Sequence, residues 1–260
     1  MILWTITAVW VFMTACWLIS TLIKNVSIVD TIYSINFIII HAVYQYLAPS
    51  TDIISTLLLI FTTLWALRLA IHIGLKNHGM GEEKRYARFR EKYGKSRYWW
   101  FSYFQVFLLQ GAFLLIFASP IHINYYTVLQ QTHPLQPLLL AVGISIFLFG
   151  FIYESIADLQ LYRFKQSNDS TQFLQTGLWR YSRHPNYFGE LTLWFGLAII
   201  TISKNPSLFS LISLIGPIFL SYVISQLSGP KNHEPYMEKE KPGFIAYQSN
   251  TPAIIPHFKI

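Results

Sequence analysis

The sequence contains little cysteine and little charge, and it lacks two common nucleotide-binding patterns. The single cysteine among its 260 residues, Cys16, excludes an intramolecular disulfide, a CxxC redox pair and a cysteine zinc site. Charged residues make up 12% of the chain, about half of their share in a typical soluble domain. Neither GxGxxG nor GxxxxGKS/T occurs, so neither a Rossmann nor a P-loop site is expected. No metal site is predicted.

Apolar residues are abundant and are grouped into long runs. They form 53% of the chain, aromatic residues form 17%, and the mean hydropathy is +0.39. A helix that crosses a membrane needs about 20 mostly apolar residues. Seven stretches approach or meet that length: 2–23, 27–48, 53–75, 99–121, 135–157, 187–203 and 207–227. The predicted fold is therefore all-α, a single integral membrane domain over residues 1–260 with about seven transmembrane helices.

Basic residues are unevenly distributed along the chain, whose formal charge is +7. All but two of the 19 Lys and Arg residues lie in connections 1–2, 3–4 and 5–6 of the predicted spans or in the tail; the exceptions are Arg68 and Lys204. Because cytosolic connections are rich in Lys and Arg, the N-terminus is predicted outside and the C-terminus in the cytosol. Topology and lipid headgroups account for the basic charge. Membrane lipids are thus expected partners, nucleic acid is not, and no obligate protein partner is indicated.

Ionisable residues are rare inside the predicted spans, and by this topology they all fall in the cytosolic third of the membrane: Asp30, Arg68, His72, Glu154, Asp158 and Glu190. Charge within a span is costly and by default indicates function, in this case a pocket open to the cytosol. The structural alternative is that Asp30 pairs with Arg68, and that Glu154 or Asp158 pairs with a nearby Arg. The outer side is predicted to hold surface or interfacial groups: His41, Asp52, His122 and His133.

The densest polar segment is 176–190, TGLWRYSRHPNYFGE. Pro185 is expected at the first turn of the sixth span, where free N–H groups face Arg180, Arg183 and His184. Such a cluster suits a phosphate or pyrophosphate. Asn186 and Glu190 are four residues apart on one helical face and could bind a carboxamide or ribose hydroxyls. The alternative is a basic anchor for lipid headgroups.

This segment resembles the signature of a membrane superfamily that includes steroid 5α-reductases, sterol Δ14- and Δ7-reductases and isoprenylcysteine methyltransferases. Within that superfamily the chain looks like bacterial DUF1295-type proteins with a steroid 5α-reductase-like C-terminal domain. Further agreement covers nearly the whole chain: residues 27–30, 64–69, 77–79, 81–82, 104–105, 110–111, 154, 158–160, 228–230, 241–244, 247, 251 and 255–256.

The resemblance implies a reductase that uses NADPH to reduce an activated C=C bond, an enone, in a steroid-like or other lipidic substrate from the bilayer. NADPH would lie in the part of the chain from about 150 to 260. Glu154 stands where steroid reductases have Asn, and either Tyr236 or Tyr247 matches their tail tyrosine. The implied cofactor-binding residues are Glu154, Asp158, Lys165, Arg180, Arg183, His184, Asn186, Tyr187, Glu190, Tyr236 and Tyr247.

Such a reduction also needs an acid or hydrogen-bond donor on the conjugated carbonyl, to stabilise the charge that develops on its oxygen. The groups at the right depth are Asp30, Tyr33 and His72. Asp30 is the favoured catalytic residue, with Tyr33 as donor.

Two other classes compete with this interpretation. A methyltransferase would use the same RHPxYxG pattern to hold S-adenosylmethionine, but residues 228–236 contain neither the Arg nor the Glu pair that is usual in those enzymes. A transporter would be expected to show inverted repeats and polar residues near the midplane. The expected location is a bacterial cytoplasmic membrane, with the endoplasmic reticulum as the alternative.

Overall fold

Helices form all of the regular structure in the residues that the computed structural model describes, which are 1–79, 81–130, 133–167 and 172–257. No strand occurs in these ranges. The all-α prediction is therefore confirmed. The chain divides into two compact units, Met1–Leu129 and Gln130–Ile260, and the predicted cofactor-binding part lies within the second.

The first unit contains eight α-helices in its described residues, with a π-helical turn at Tyr103–Leu108. The α-helices are α1 (Ile2–Leu22), α2 (Ile28–Ile32), α3 (Ile35–Leu47), α4 (Ile53–Asn77), α5 (Lys84–Tyr93), α6 (Lys95–Ser102), α7 (Leu109–Phe117) and α8 (Ser119–Tyr126). Helix α3 packs against both α1 and α4.

The second unit contains five α-helices among its described residues, together with 3-10 turns at Gly177–Arg180 and Ser210–Leu214 and a π-helical turn at Val223–Ser228. The α-helices are α9 (Gln136–Ser167), α10 (Pro185–Lys204), α11 (Ile215–Tyr222), α12 (Pro230–Glu240) and α13 (Phe244–Asn250). Pro185 and Pro230 stand in the first turns of α10 and α12, where a missing N–H costs no helical hydrogen bond.

Five helical segments of the described residues are long and apolar enough to cross a membrane: Ile2–Leu22, Ile53–Asn77, Ser96–Phe117, Gln136–Gln166 and Ser210–Ser228. They coincide with five of the seven predicted spans. The span predicted at 27–48 is divided between α2 and the 13-residue α3. The span predicted at 187–203 corresponds to α10, which is long enough but carries Glu190 and Lys204. The membrane character of the chain is confirmed, while the count of seven and the topology stay predictions.

One group predicted at the surface is buried. His41 on α3 is fully enclosed, and its ring meets Tyr125 edge-on, with 5.9 Å between the ring centroids. Tyr44, one turn further along α3, shares a hydrogen bond of 2.8 Å with Nδ1 of His122. The tyrosine and histidine rings share hydrogen bonds through Nδ1 of His41 and Nδ1 of His122, and this end of α3 packs inside the first unit.

Helices α9 and α10 pack antiparallel at close range through four glycines: Gly143 and Gly150 on α9, Gly189 and Gly196 on α10. Each pair is spaced seven residues apart, so it lies on one helical face. A Cβ added at Gly150 would lie 2.5 Å from the backbone N of Leu193, and one at Gly189 would lie 2.6 Å from the N of Glu154. The glycines therefore allow the backbones to approach where side chains would hold them apart.

Candidate functional site

The first part of the site is a polar group buried between α9 and α10. Glu154 is 2% exposed and Asp158, one turn later, is 6% exposed. Asn186 in the first turn of α10 donates a hydrogen bond from Nδ2 to Oδ1 of Asp158, at 3.2 Å. The backbone of Glu154 lies against Gly189. Three residues predicted from the resemblance are thus brought together, with half-buried Glu190 on the next turn of α10.

One atom of this group has an unused hydrogen-bonding capacity. Oδ1 of Asn186 is buried and has no hydrogen-bond partner among the described residues. A buried acceptor without a donor costs free energy, so such an atom is expected to meet a water or a ligand donor.

The turn at Gly177–Arg180 is fixed on the second half of α9. Gly177 has φ of +63°, and an added Cβ would lie 2.6 Å from the side chain of Gln160. Oε1 of Gln160 accepts from the backbone N–H of Leu178 at 3.0 Å, and Nε1 of Trp179 donates to the carbonyl of Ala157 at 3.1 Å. A positive φ and this close approach require glycine at 177.

Arg183, His184 and Glu234 form an ionic contact in the second unit, here named the motif clamp. Nε and NH2 of Arg183 donate to the two carboxylate oxygens of Glu234 at 2.7 and 2.9 Å. Nε2 of His184 lies 3.0 Å from Oε1 of Glu234. The second terminal nitrogen of Arg183 donates to the carbonyls of Gln248 and Thr251. The guanidinium of Arg183 is therefore engaged by protein groups on both of its edges.

Hydrogen bonds from neighbouring side chains keep Glu234 ionised. Burial alone would raise its pKa, but hydrogen bonds from His184, Arg183 and Gln248 outweigh burial and lower the pKa to about 2. The His184 ring also stacks on Tyr187, with 5.1 Å between centroids. At neutral pH the motif clamp therefore contains an ionised carboxylate.

The C-terminal segment is paired with the motif. The backbone N–H groups of Arg183 and His184 donate to the carbonyls of Pro252 and Ala253 at 2.9 and 3.0 Å, and that of His257 donates to Tyr181 at 3.0 Å. The hydroxyl of Tyr247 donates to the carbonyl of Trp179. Of the two tail tyrosines, Tyr247 is therefore buried against the motif, whereas Tyr236 on α12 is 38% exposed.

An open cleft of about 630 Å³ lies beside the turn at Gly177–Arg180. Its lining consists of Gln175, Thr176, Arg180, Gly243, Ala246, Tyr247, Asn250 and Thr251. Arg180 supplies the charge of this lining and is exposed, as is Lys165 in the last turn of α9. Among the predicted phosphate ligands, these two cations are more accessible than Arg183.

The predicted catalytic residues lie in the first unit. Asp30 on α2 accepts hydrogen bonds from NH2 of Arg85 at 3.1 Å and from the hydroxyl of Tyr86 at 2.8 Å. It is thus paired with Arg85, where the structural alternative named Arg68. Half-buried Tyr33 directly follows α2, with its ring edge-on to Phe37 at 5.8 Å, and half-buried His72 lies near the end of α4.

Several contacting residues were missed from the sequence. Arg85 and Tyr86 lie in a basic run that was interpreted as a topology signal only. The segment of Glu234 lacks a neighbouring Arg, so no ion pair was predicted there. Its partner, Arg183, lies 51 residues earlier in the chain. Neither pairing leaves a signal in local spacing. Gly177 was part of the quoted motif, and it could have indicated a turn because glycine accepts a positive φ at no steric cost.

Comparisons with known proteins give one family and one curated relative. The model of a family described as "Protein of unknown function (DUF1295)" matches residues 16–251. A protein of Schizosaccharomyces pombe whose name describes it as uncharacterized is 27% identical over 230 residues. The match covers 77% of this chain and 66% of the relative, so the chain spans slightly less than two thirds of that protein's length.

Proposed function

The chain belongs to the DUF1295 family, and we propose that it is a membrane-embedded reductase. In this proposal it uses NADPH to reduce an activated C=C bond, an enone, in a steroid-like or other lipidic substrate. The coarser part, a helical membrane protein of this family, rests on the family match and the five long apolar helices. The activity, the cofactor and the substrate class are proposed from the residues of the candidate site.

The observation that carries the proposal is the buried polar group between α9 and α10. Glu154 and Asp158 lie on a helix that is long and apolar enough to cross a membrane, where a carboxylate is costly and by default functional. Asn186 turns a donor towards Asp158 and keeps a buried acceptor, Oδ1, without a partner among the described residues. A carboxamide N–H of a ligand would satisfy that acceptor.

The residues present fit NADPH in two places. Asn186, Asp158 and Glu190 would hold its carboxamide and ribose hydroxyls, because amides and carboxylates offer the acceptors that those groups need. Arg180 and Lys165 would hold its phosphates. In this proposal Arg183 is a positioning residue, since its guanidinium already binds Glu234 and two backbone carbonyls.

The cofactor, when bound, supplies a hydride. The chain must then hold the enone carbonyl and deliver a proton. NH2 of Arg85 and the hydroxyl of Tyr86 both donate to the carboxylate of Asp30, so in this proposal Asp30 orients a donor and does not itself donate. Tyr33 and His72 are the candidate donors in this arrangement.

S-adenosylmethionine methyltransfer is the second candidate, favoured by one observation. Enzymes of that class usually follow their last apolar segment with Arg and Glu groups that bind cofactor and substrate. Here Glu234 follows the last long apolar segment and meets Arg183 of the motif in space.

A ligand titration separates the two functions. Detergent-purified protein would be heated with NADPH, NADH and S-adenosylmethionine in parallel, since a ligand that binds the folded state raises its stability by mass action. We expect stabilisation by NADPH, on the order of 2–3 kcal/mol at a hundredfold excess over Kd. Stabilisation by S-adenosylmethionine alone would replace the reductase with a methyltransferase.

Variants connect any binding to the site. Asn186→Ala and Glu190→Gln should each weaken NADPH binding while the protein stays folded. Asn205→Ala, an amide at the other end of α10, is the matched control. Wild-type binding by both site variants would remove the α10 motif from the cofactor site.

A further inference from the structure

Helix α5 divides its basic residues between two directions. Arg85 and Arg90 turn inward, Arg85 to Asp30 and Arg90 to both carboxylate oxygens of Glu82 at 2.8 Å. Lys84, Arg88 and Lys92 are exposed and follow one another at four-residue spacing, which places them in one row on the helix.

The outward row carries a positive surplus. Exposed Glu91 shares the same face, and exposed Arg97 follows at the start of α6. The nitrogen Nε of Arg88 donates to the carbonyl of Lys84 at 3.3 Å, and the ammonium of Lys92 lies 5.4 Å from the ring centroid of Tyr93. The guanidinium of Arg88 and the ammonium of Lys92 therefore stay at the surface.

The row of cations ends beside the start of a segment that is long and apolar enough to cross a membrane. Gly94, with φ of +81°, alone separates α5 from α6, and the apolar segment Ser96–Phe117 begins two residues later. Near its start, Trp99 and Trp100 are 51% and 44% exposed. Tryptophans at the end of a membrane span lie at headgroup level. The basic row is therefore presented at the height of the lipid headgroups.

We propose that the outward face of α5, formed by Lys84, Arg88 and Lys92, is a docking surface for the headgroups of anionic phospholipids. The three cations are complementary in charge to anionic headgroups, and the adjacent tryptophans place this face at the depth of the headgroups. The inward clamps of Arg85 and Arg90 hold the helix in this orientation. This proposal is independent of the reductase proposal, because none of the three residues is a candidate for cofactor or substrate binding.

The test measures lipid binding to the full-length chain. The protein, purified in detergent, is titrated with phosphatidylglycerol or phosphatidylcholine, and bound lipids are counted by native mass spectrometry. The test variant combines Lys84→Gln, Arg88→Gln and Lys92→Gln. The matched control removes three other cations with Lys231→Gln, Lys239→Gln and Lys241→Gln. A separate arm adds inorganic phosphate at about 1 mM, so that a site for free phosphate would be occupied by mass action.

We expect the test variant to lose at least about tenfold in phosphatidylglycerol affinity, since each cation near an anionic surface contributes on the order of fivefold. The control should change by less than about twofold. Equal losses in both triple variants, no loss in the test variant, or displacement by inorganic phosphate would each overturn the proposal. Arg88→Gln alone, with about a fivefold loss expected, replaces the triple variant if that does not fold.

Discussion

Each unit of the chain contains an arginine that holds a glutamate through two hydrogen bonds, but the surroundings of the two pairs differ. Arg90 and Glu82, named the connection clamp, are joined by two contacts of 2.8 Å, and their side chains are 23% and 12% exposed. In the motif clamp, Arg183 and Glu234 are 11% and 7% exposed. The motif clamp also includes His184 and joins the two residues before α10 to α12, α13 and the C-terminal segment.

We expect burial and additional partners, more than pair geometry, to decide what each of these ion pairs contributes to stability. A pair that water can reach contributes little, whereas breaking a buried pair leaves an uncompensated charge. The connection clamp attaches α5 to the backbone at Val26, whose N–H donates to Glu82 at 3.0 Å. The motif clamp fixes the segment that precedes Asn186. We therefore expect the second unit to depend on its clamp far more than the first.

The largest expected effect is from Glu234→Gln. It leaves the buried guanidinium of Arg183 without its carboxylate, which should cost about 3–5 kcal/mol. The apparent midpoint of thermal unfolding in detergent should fall by roughly 10 °C. The matched variant Glu82→Gln should cost roughly 1 kcal/mol, which lowers the midpoint by only a few degrees. Equal shifts in the two variants would contradict the contrast between the clamps.

Lowering the pH should remove the stability that the ionised carboxylate of Glu234 contributes. Glu234 has a pKa of about 2 in the folded chain, against an ordinary value of 4.5. Its contribution to stability is therefore fully present above the ordinary pKa and is lost as pH falls from about 5 towards 2, a loss of about 3 kcal/mol. Unfolding measured from pH 7 to 3 should show a steeper decline for the wild type than for Glu234→Gln. Parallel curves would remove Glu234 as the source.

The structure also shows which helices of this chain can be predicted from local sequence patterns. The apolar runs were sufficient for α1, α4 and α9, because a run of about 20 apolar residues has few other outcomes. They were insufficient for the second predicted span, where Ser27, Asp30 and Ser34 lie among apolar residues and the chain forms two short helices. Ser34 donates to the carbonyl of Ala66, a contact between segments 32 residues apart.

The site was predictable only where its residues are neighbours in sequence or helical spacing. Glu154 and Asp158 share a face four residues apart, and the motif places Asn186 in a first turn, so local rules find both. The glycine contacts and both clamps pair residues of distant segments. Arg183 was assigned to a phosphate because no local signal indicated Glu234. Distant pairings of this kind need coordinates or covariation between homologues.

A moderate effect is expected from Gly189→Ala, which tests the close helix pair that the motif clamp supports. The new Cβ would lie 2.6 Å from the N of Glu154, so α9 and α10 must separate. Overpacking of this kind costs about 1–3 kcal/mol, and separation of Asn186 from Asp158 should weaken ligand binding too. The control is Gly81→Ala in the first unit, where an added Cβ meets nothing within 4 Å. Both properties, unfolding and NADPH binding, would be measured for each variant.

The smallest effect on stability is expected from Asp30→Asn, because the side chains of Arg85 and Asp30 remain 29% and 22% exposed, more than those of Arg183 and Glu234. A loss of about 1 kcal/mol or less is expected in the free energy of unfolding.

In the reductase proposal Asp30 orients the donor, so Asp30→Asn should lower turnover by far more than NADPH affinity. Tyr86→Phe removes the 2.8 Å hydrogen bond to Asp30 but keeps the carboxylate, and should lower turnover less. If Asp30→Asn instead destabilised the chain as much as Glu234→Gln and left turnover unchanged, Asp30 would be a structural residue. The candidate functional residues of the chain would then lie in the second unit alone.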